Sequence, residues 1–199
     1  VSSERALQHL PLQALSPSAG TQTFVFASLA LACAIKSPVA PLHGWLPLAY
    51  GEAPASATAL MAGVLSKMGA FGLLRLAIPL APLAAARYAP TAVAVGVASL
   101  LYGAIVALRQ TRPRALVAYA SLSHMGYVVV GAFTLTAVGA HGAILQVLSH
   151  GFAVCGLFLL VGAMERRAGD DASSVTALAA RAPRLAVMLM LFVLASLAL

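Results

Sequence analysis

Acidic side chains are scarce in this 199-residue chain. The five present, Glu4, Glu52, Glu165, Asp170 and Asp171, lie at the edges of apolar runs or in the stretches between them. Lysine is scarcer still, with Lys36 and Lys67 alone, and both interrupt long apolar runs. The chain thus carries buried bases without buried acids. Cysteine is limited to Cys33 and Cys155, without a Cys-x-x-Cys or a metal-ligand spacing, so both read as small core residues and say nothing of redox compartment. A Gly-x-Gly-x-x-Gly fingerprint, a cysteine cluster for iron–sulfur and a flavin site are also missing from the sequence. No redox chemistry, cofactor or metal is therefore expected in this chain itself. No polar segment is long enough to build a soluble domain.

What is present is apolar. Hydrophobic residues make up 61% of the chain and charged residues 9%, with a mean hydropathy of +0.95. That hydrophobic share exceeds the roughly 45–50% of soluble domains and places the chain in a bilayer. A net charge of +7 raises nucleic acid as a partner. Apart from the two lysines, however, the positive charge is arginine near the ends of apolar runs, which is the pattern of membrane topology signals. The lipid bilayer is the expected partner, and nucleic acid is not.

Residues 1–20 form a polar, proline-bearing lead-in, and 21–199 are expected to form one transmembrane helical domain, all-α and polytopic. The sequence opens on Val1 and stops inside the apolar stretch Leu185–Leu199, shorter than the roughly 20 residues a crossing needs. This predicts a piece of a larger membrane fold whose last span is truncated. Thr23–Ile35 is almost wholly apolar, then Lys36-Ser-Pro-Val-Ala-Pro-Leu-His-Gly-Trp-Leu-Pro sets prolines at 38, 41 and 47. Each proline removes an amide donor and clashes with the preceding turn, so a broken helix is expected there. Non-helical backbone at membrane depth persists only where protein or a water-filled cavity satisfies the freed groups, and such breaks recur at transport sites.

The next span runs over about 54–79 with Lys67 near its centre, followed by spans at about 90–109, 114–135 and 142–164 and the truncated one from about 184. At 1.5 Å per residue, Lys67 is about 20 Å from either boundary, beyond the reach of snorkelling. With six crossings, the connections near 50–53, 109–114 and 165–184 share one face. That face carries Arg109, Arg112, Arg114, Arg166, Arg167, Arg181 and Arg184, against Arg5 and Arg87 opposite and Arg75 inside a helix end. The imbalance places the arginine-rich face in the cytoplasm.

A charged amine at the centre of a membrane helix costs roughly 2.5–3.5 kcal/mol on insertion scales, and such residues usually serve ion or proton movement. Low dielectric disfavours the ammonium form, so small electrostatic changes nearby can load or unload its proton. The alternative is that each lysine is permanently paired with a carboxylate on a helix outside this segment and serves packing. His124 and His150 fall near mid-span on adjacent spans, where an imidazole of unperturbed pKa about 6.5 suits proton relay. Ser121, Ser123, Gln146 and Ser149 beside them are candidates for a hydrogen-bonded, cavity-lining file. Plain hydrogen bonding across a helix interface is the second reading of the pair, and axial ligation of a haem the third. His43, inside the break, is a further candidate for lining the cavity, while His9 and His141 fall near span ends. Trp45 reads as a packing or interface aromatic, and Gly69, Gly72, Gly151 and Gly156 as sites of close helix approach.

Several of these segments together resemble a known family. They are Lys36 to Pro47, Glu-Ala-Pro-Ala-Ser-Ala at 52–57, Gly-Val-Leu-Ser-Lys-Met-Gly-Ala-Phe-Gly-Leu-Leu-Arg at 63–75 and Ala-Tyr-Ala-Ser-Leu-Ser-His-Met-Gly at 118–126. The chain resembles, from about residue 21 onward, the antiporter-like proton-pumping membrane subunits of respiratory complex I within the proton-conducting transporter superfamily. It is most like the M-type subunits of bacterial NADH:quinone oxidoreductase. The resemblance implies proton translocation in an inner (plasma) membrane, driven by quinone-linked redox chemistry in partner subunits of a respiratory-chain translocase. It also implies that Lys36 is the lysine of the first broken helix, awaiting a glutamate on an earlier helix; that Lys67 is the central relay lysine; and that His124 and His150 are the linking histidines. A subunit of an Mrp-type Na⁺/H⁺ antiporter or of a hydrogenase-linked pump is the alternative. One departure is visible: where the family usually carries an acidic residue ahead of Ala-Tyr-x-Ser, this chain reads Arg109-Gln-Thr-Arg-Pro-Arg. A loop salt bridge is therefore not expected there.

Overall fold

The structure, a computed structural model, describes residues 18–168 and 182–197. Much of the lead-in, with Arg5 and His9, and the stretch holding Asp170, Asp171 and Arg181 lie outside these residues. Every element in the described part is helical. Helix α1 spans Ala19–Lys36 and α2 spans Trp45–Glu52. The third helix, α3, runs over Ala55–Leu80, and α4 over Pro82–Leu108. Then come α5 at Pro113–Phe133, α6 at Ala137–Ala168 and α7 at Pro183–Leu197. Five of these, α1 and α3 to α6, are long and apolar enough to cross a membrane. Large apolar side chains such as Phe24, Leu108, Val138 and Phe152 point outward, as expected where the surrounding solvent is lipid rather than water.

The proline-rich stretch breaks its crossing as its sequence dictates. Helix α1 stops at Lys36, residues 37–44 make turns, with a cis bond at Ala40-Pro41, and α2 resumes at Trp45. A helix broken at this depth leaves carbonyls and amides without intrahelical partners, and side chains from elsewhere answer one of each. Trp45 Nε1 donates to Ile35 O at 3.1 Å, and Ser99 Oγ of α4 accepts from Ala40 N at 2.9 Å. Trp45 is thus a cap of the broken helix as well as a packing aromatic, its ring set edge-on to Tyr50. Replacing Trp45 by Phe keeps most of that packing and removes the donor. A loss of about 1 kcal/mol of stability is expected, read as a lowered thermal midpoint of the purified protein.

Two boundaries differ from those read in the sequence. Helix α4 begins at Pro82 rather than near 90, because Pro82 suits a first helical turn and Pro90 is accommodated within the helix. Helix α6 extends to 32 residues, longer than a perpendicular crossing requires, so part of it projects or tilts.

Helices approach closely where glycine removes the side chain. A Cβ on Gly103 of α4 would come within 2.6 Å of Ser123 N, and one on Gly126 of α5 within 2.6 Å of Gly96 O. A Cβ on Gly69 would meet Cys33 O and Ser37 N, both at 2.6 Å. The end of α1 therefore lies directly on the lysine-bearing helix.

Candidate functional site

Lys67 lies in a distorted part of α3. The helix widens into π geometry at Met61–Leu65 and again at Leu73–Ala77, on either side of the short α-helical segment that begins at Lys67. In the first widening Ser66 N reaches back to Met61 O at 3.0 Å, where a regular helix would have given it Ala62 O. The Ala62 carbonyl receives side chains instead: Ser66 Oγ at 2.9 Å and Lys67 Nζ at 2.6 Å. Ser66 Oγ is also 3.4 Å from the ammonium. Lys67 is buried, with 8% of its surface exposed, and its hydrogen-bond partners among the described residues are neutral. π-bulges of this kind frequently mark functional positions.

The two predicted histidines come together. The rings of His124 on α5 and His150 on α6 stack with centroids 4.6 Å apart and planes 25° from parallel. Gln146 Nε2 sits 3.0 Å from His124 Nδ1, while the buried Nε2 of His150 has no hydrogen-bond partner among the described residues. Rings stacked this closely leave no slot for a porphyrin between them, so the pair does not fit axial haem ligation. Lys67 is the third member of the cluster. Its Cε would lie 3.8 Å from a Cβ on Gly151, the residue after His150. Gly63 and Gly151 permit this approach, a Cβ on Gly151 falling 3.0 Å from Gly63 O.

The polar residues around the histidines divide. Ser123 and Gln146 line, with His124, Tyr127 and Ser196, a cavity of about 680 Å³. Ser121 and Ser149 turn their hydroxyls onto carbonyls of their own helices, Val117 O at 2.9 Å and Gln146 O at 3.3 Å. His43 sits apart from the pair, its ring 4.9 Å from that of Tyr102 and 6.4 Å from that of Tyr119. His141 is exposed.

Lys36 has a different setting. It is exposed on the outside of this helical set and has no ion-pair or hydrogen-bond partner among the described residues. Its backbone is nevertheless tied to the Lys67 site. Ser37, the next residue, donates from Oγ to Ser66 O at 2.6 Å, so the residues flanking the two lysines are hydrogen-bonded to each other. Nothing in the composition of either segment signals this tether, and sequence reasoning missed it together with Ser99.

Sequence reasoning also missed an ion pair, and here the expectation of no salt bridge ahead of Ala-Tyr-Ala-Ser is corrected. Arg114 Nη2 and Nε bind the Glu165 carboxylate at 2.6 and 2.8 Å. The pair forms because the chain folds the far end of α6 back to the start of α5. Arg114 Nη1 also donates to the carbonyls of Gly51 and Ala53. The connections near 50–53, 109–114 and 165 therefore share one face, as the alternation of crossings requires.

A family model described as NADH:quinone oxidoreductase/Mrp antiporter, transmembrane, matches residues 4–199. The chain belongs to this family. Members similar to it include NADH-quinone oxidoreductase subunit M of Escherichia coli K12, 42% identical over 150 residues, covering 75% of this chain and 30% of that protein. Subunit M of Rickettsia prowazekii is 38% identical over 179 residues, covering 89% of this chain and 36% of its own. The chain thus spans about a third of the length of these members of the NADH:quinone oxidoreductase/Mrp antiporter family. Among solved structures, respiratory complex I from Thermus thermophilus with bound NADH contains a chain matching at a TM-score of 0.68 and 32% identity, over 88% of this chain and 46% of that one. The Mrp complex from Dietzia sp. DQ12-45-1b matches at 0.67 and 31%, over 70% and 26%. Both support an antiporter-like helical membrane fold.

Proposed function

We propose that this chain is part of an antiporter-like subunit of an NADH:quinone oxidoreductase and translocates protons across the membrane, driven by redox chemistry in partner subunits. The observation that carries this reading is Lys67, buried in an apolar bundle with only neutral acceptors among the described residues and set beside a stacked histidine pair. An amine so held can exist there in either protonation state, and the state it takes depends on the charge of its surroundings. Two imidazoles stacked at 4.6 Å repel when both are cations, so the pair carries one proton at a time.

Lys36 acts as the gate in this scheme. A carboxylate from a helix outside this segment holds it protonated. When that charge moves or is neutralised, Lys36 gives its proton to water leading towards Lys67, and Lys67 feeds the His124–His150 pair. The arginine-rich face lies in the cytoplasm, and the membrane is the bacterial plasma membrane. Partners are the other membrane subunits of the complex.

The test is Lys67→Ala in the full-length protein in its assembled complex, with proton pumping followed in membrane vesicles. A second comparison addresses the gate: Lys36→Ala is expected to slow pumping more than Arg87→Ala, an exposed arginine lying over the Tyr88 ring. The reverse ranking counts against the scheme. The likeness to the Mrp complex favours one further reading, an Mrp-type Na⁺/H⁺ antiporter subunit using the same lysine. Sodium-dependent proton exchange in the same vesicles would decide for it.

A further inference from the structure

The corner where α2 meets α3 is held by a cation from a different part of the chain. Gly51 lies in the last turn of α2 and Ala53 caps it, where helix carbonyls have no intrahelical donor. Arg114 Nη1 donates to both of these carbonyls, while Nε and Nη2 are occupied by Glu165. A cation is well placed opposite the negative end of α2.

The same two charges are badly placed with respect to their own helices. Arg114 is the second residue of α5, at the helix end that disfavours a cation, and Glu165 lies in the last turn of α6, at the end that disfavours an anion. The dipoles of their own helices therefore do not account for either residue. The three-way contact does, because it engages all three nitrogens of the Arg114 guanidinium.

The contact joins the three parts of the relay. Helix α5 carries His124 and α6 carries His150, while the α2–α3 corner leads into the helix that carries Lys67. We infer that Arg114, oriented by Glu165, is a positioning residue for proton transfer: it fixes the α2–α3 corner so that Lys67 stays in register with the stacked histidines. This inference rests on the relay through Lys67 proposed above.

The two halves of the contact are separable. Reversing the charges, with Arg114→Glu and Glu165→Arg together, keeps an ion pair between α5 and α6 and puts each charge at the helix end that favours it. A carboxylate at 114 has no proton to give the Gly51 and Ala53 carbonyls. A simple tie between α5 and α6 would be rescued by this exchange, and a device that holds the corner would not.

The experiment compares each single reversal, the double reversal and Arg114→Lys in the full-length protein within its complex. Assembled complex in the membrane and pumping rate per assembled complex are measured separately. The double reversal is expected to restore assembly to the wild-type level while pumping stays about fivefold slower, the scale of a donor displaced by a fraction of an ångström. Arg114→Lys keeps the charge but loses the fork, so it too should assemble and pump slowly. Wild-type pumping by the double reversal, or by assembled Arg114→Lys should the double reversal not accumulate, overturns the inference. Lys67→Ala in the same vesicles separates the two claims. If it pumps normally the relay itself falls, and if it does not pump while the Arg114 variants do, only the positioning role falls.

Discussion

Gly69→Val is expected to remove most of the protein from the membrane. A Cβ at this position falls 2.6 Å from two backbone atoms of the neighbouring helix end, Cys33 O and Ser37 N, and 2.9 Å from Ser37 Cβ. Backbone atoms cannot swing aside as a flexible side chain would, so α1 must shift bodily. Overpacking of this kind costs about 1–3 kcal/mol for a modest side chain. The shift would also pull Ser37 Oγ from Ser66 O, now 2.6 Å away, and break that buried hydrogen bond. Gly69→Ala should show the same defect in milder form. Gly142→Ala serves as the control, since a Cβ there meets nothing within 4 Å. The measurement is the amount of protein in isolated membranes, with thermal midpoints for the variants that accumulate.

Much of the fold was legible because the membrane simplifies the code. Runs of apolar residues at about the crossing length announced the helices, and prolines at 38, 41 and 47 announced the break, since each removes a donor that a bilayer cannot replace. Lys67 announced itself by its distance from both ends of its span. The alternation of six crossings placed three connections on one face, and the contact of Arg114 with Gly51, Ala53 and Glu165 joins those connections.

What escaped the sequence was tertiary. The π turns around Lys67 carry no compositional mark, because Met-Ala-Gly-Val-Leu and Leu-Leu-Arg-Leu-Ala would read as plain helix. The Ser37–Ser66 bond joins residues 29 apart and the Arg114–Glu165 pair residues 51 apart, and single-sequence periodicity does not carry pairing at that range. Serine was the least legible residue. Ser121 and Ser123 are two positions apart on one helix, yet the first bonds its own backbone and the second faces the cavity beside His124. Which one is used depends on helix rotation, and α5 is apolar on most sides, so the rotation is set by the packing of Gly103 and Gly126 rather than by pattern.

Lys67→Ala tests the account most directly, and the geometry predicts an uncomplicated variant. The Lys67 ammonium has no carboxylate partner among the described residues, so its removal strands no counter-charge among them, and Ala62 O keeps Ser66 Oγ as a donor at 2.9 Å. Folding and assembly should therefore survive. The relay should not, because alanine offers nothing that can take a proton on its way to the His124–His150 stack. In vesicles containing the full-length protein in its complex, Lys67→Ala is predicted to assemble at the wild-type level and to pump protons about tenfold more slowly, a conservative figure for loss of a positioned proton-transfer group. Undiminished pumping by a normally assembled Lys67→Ala complex would contradict the account.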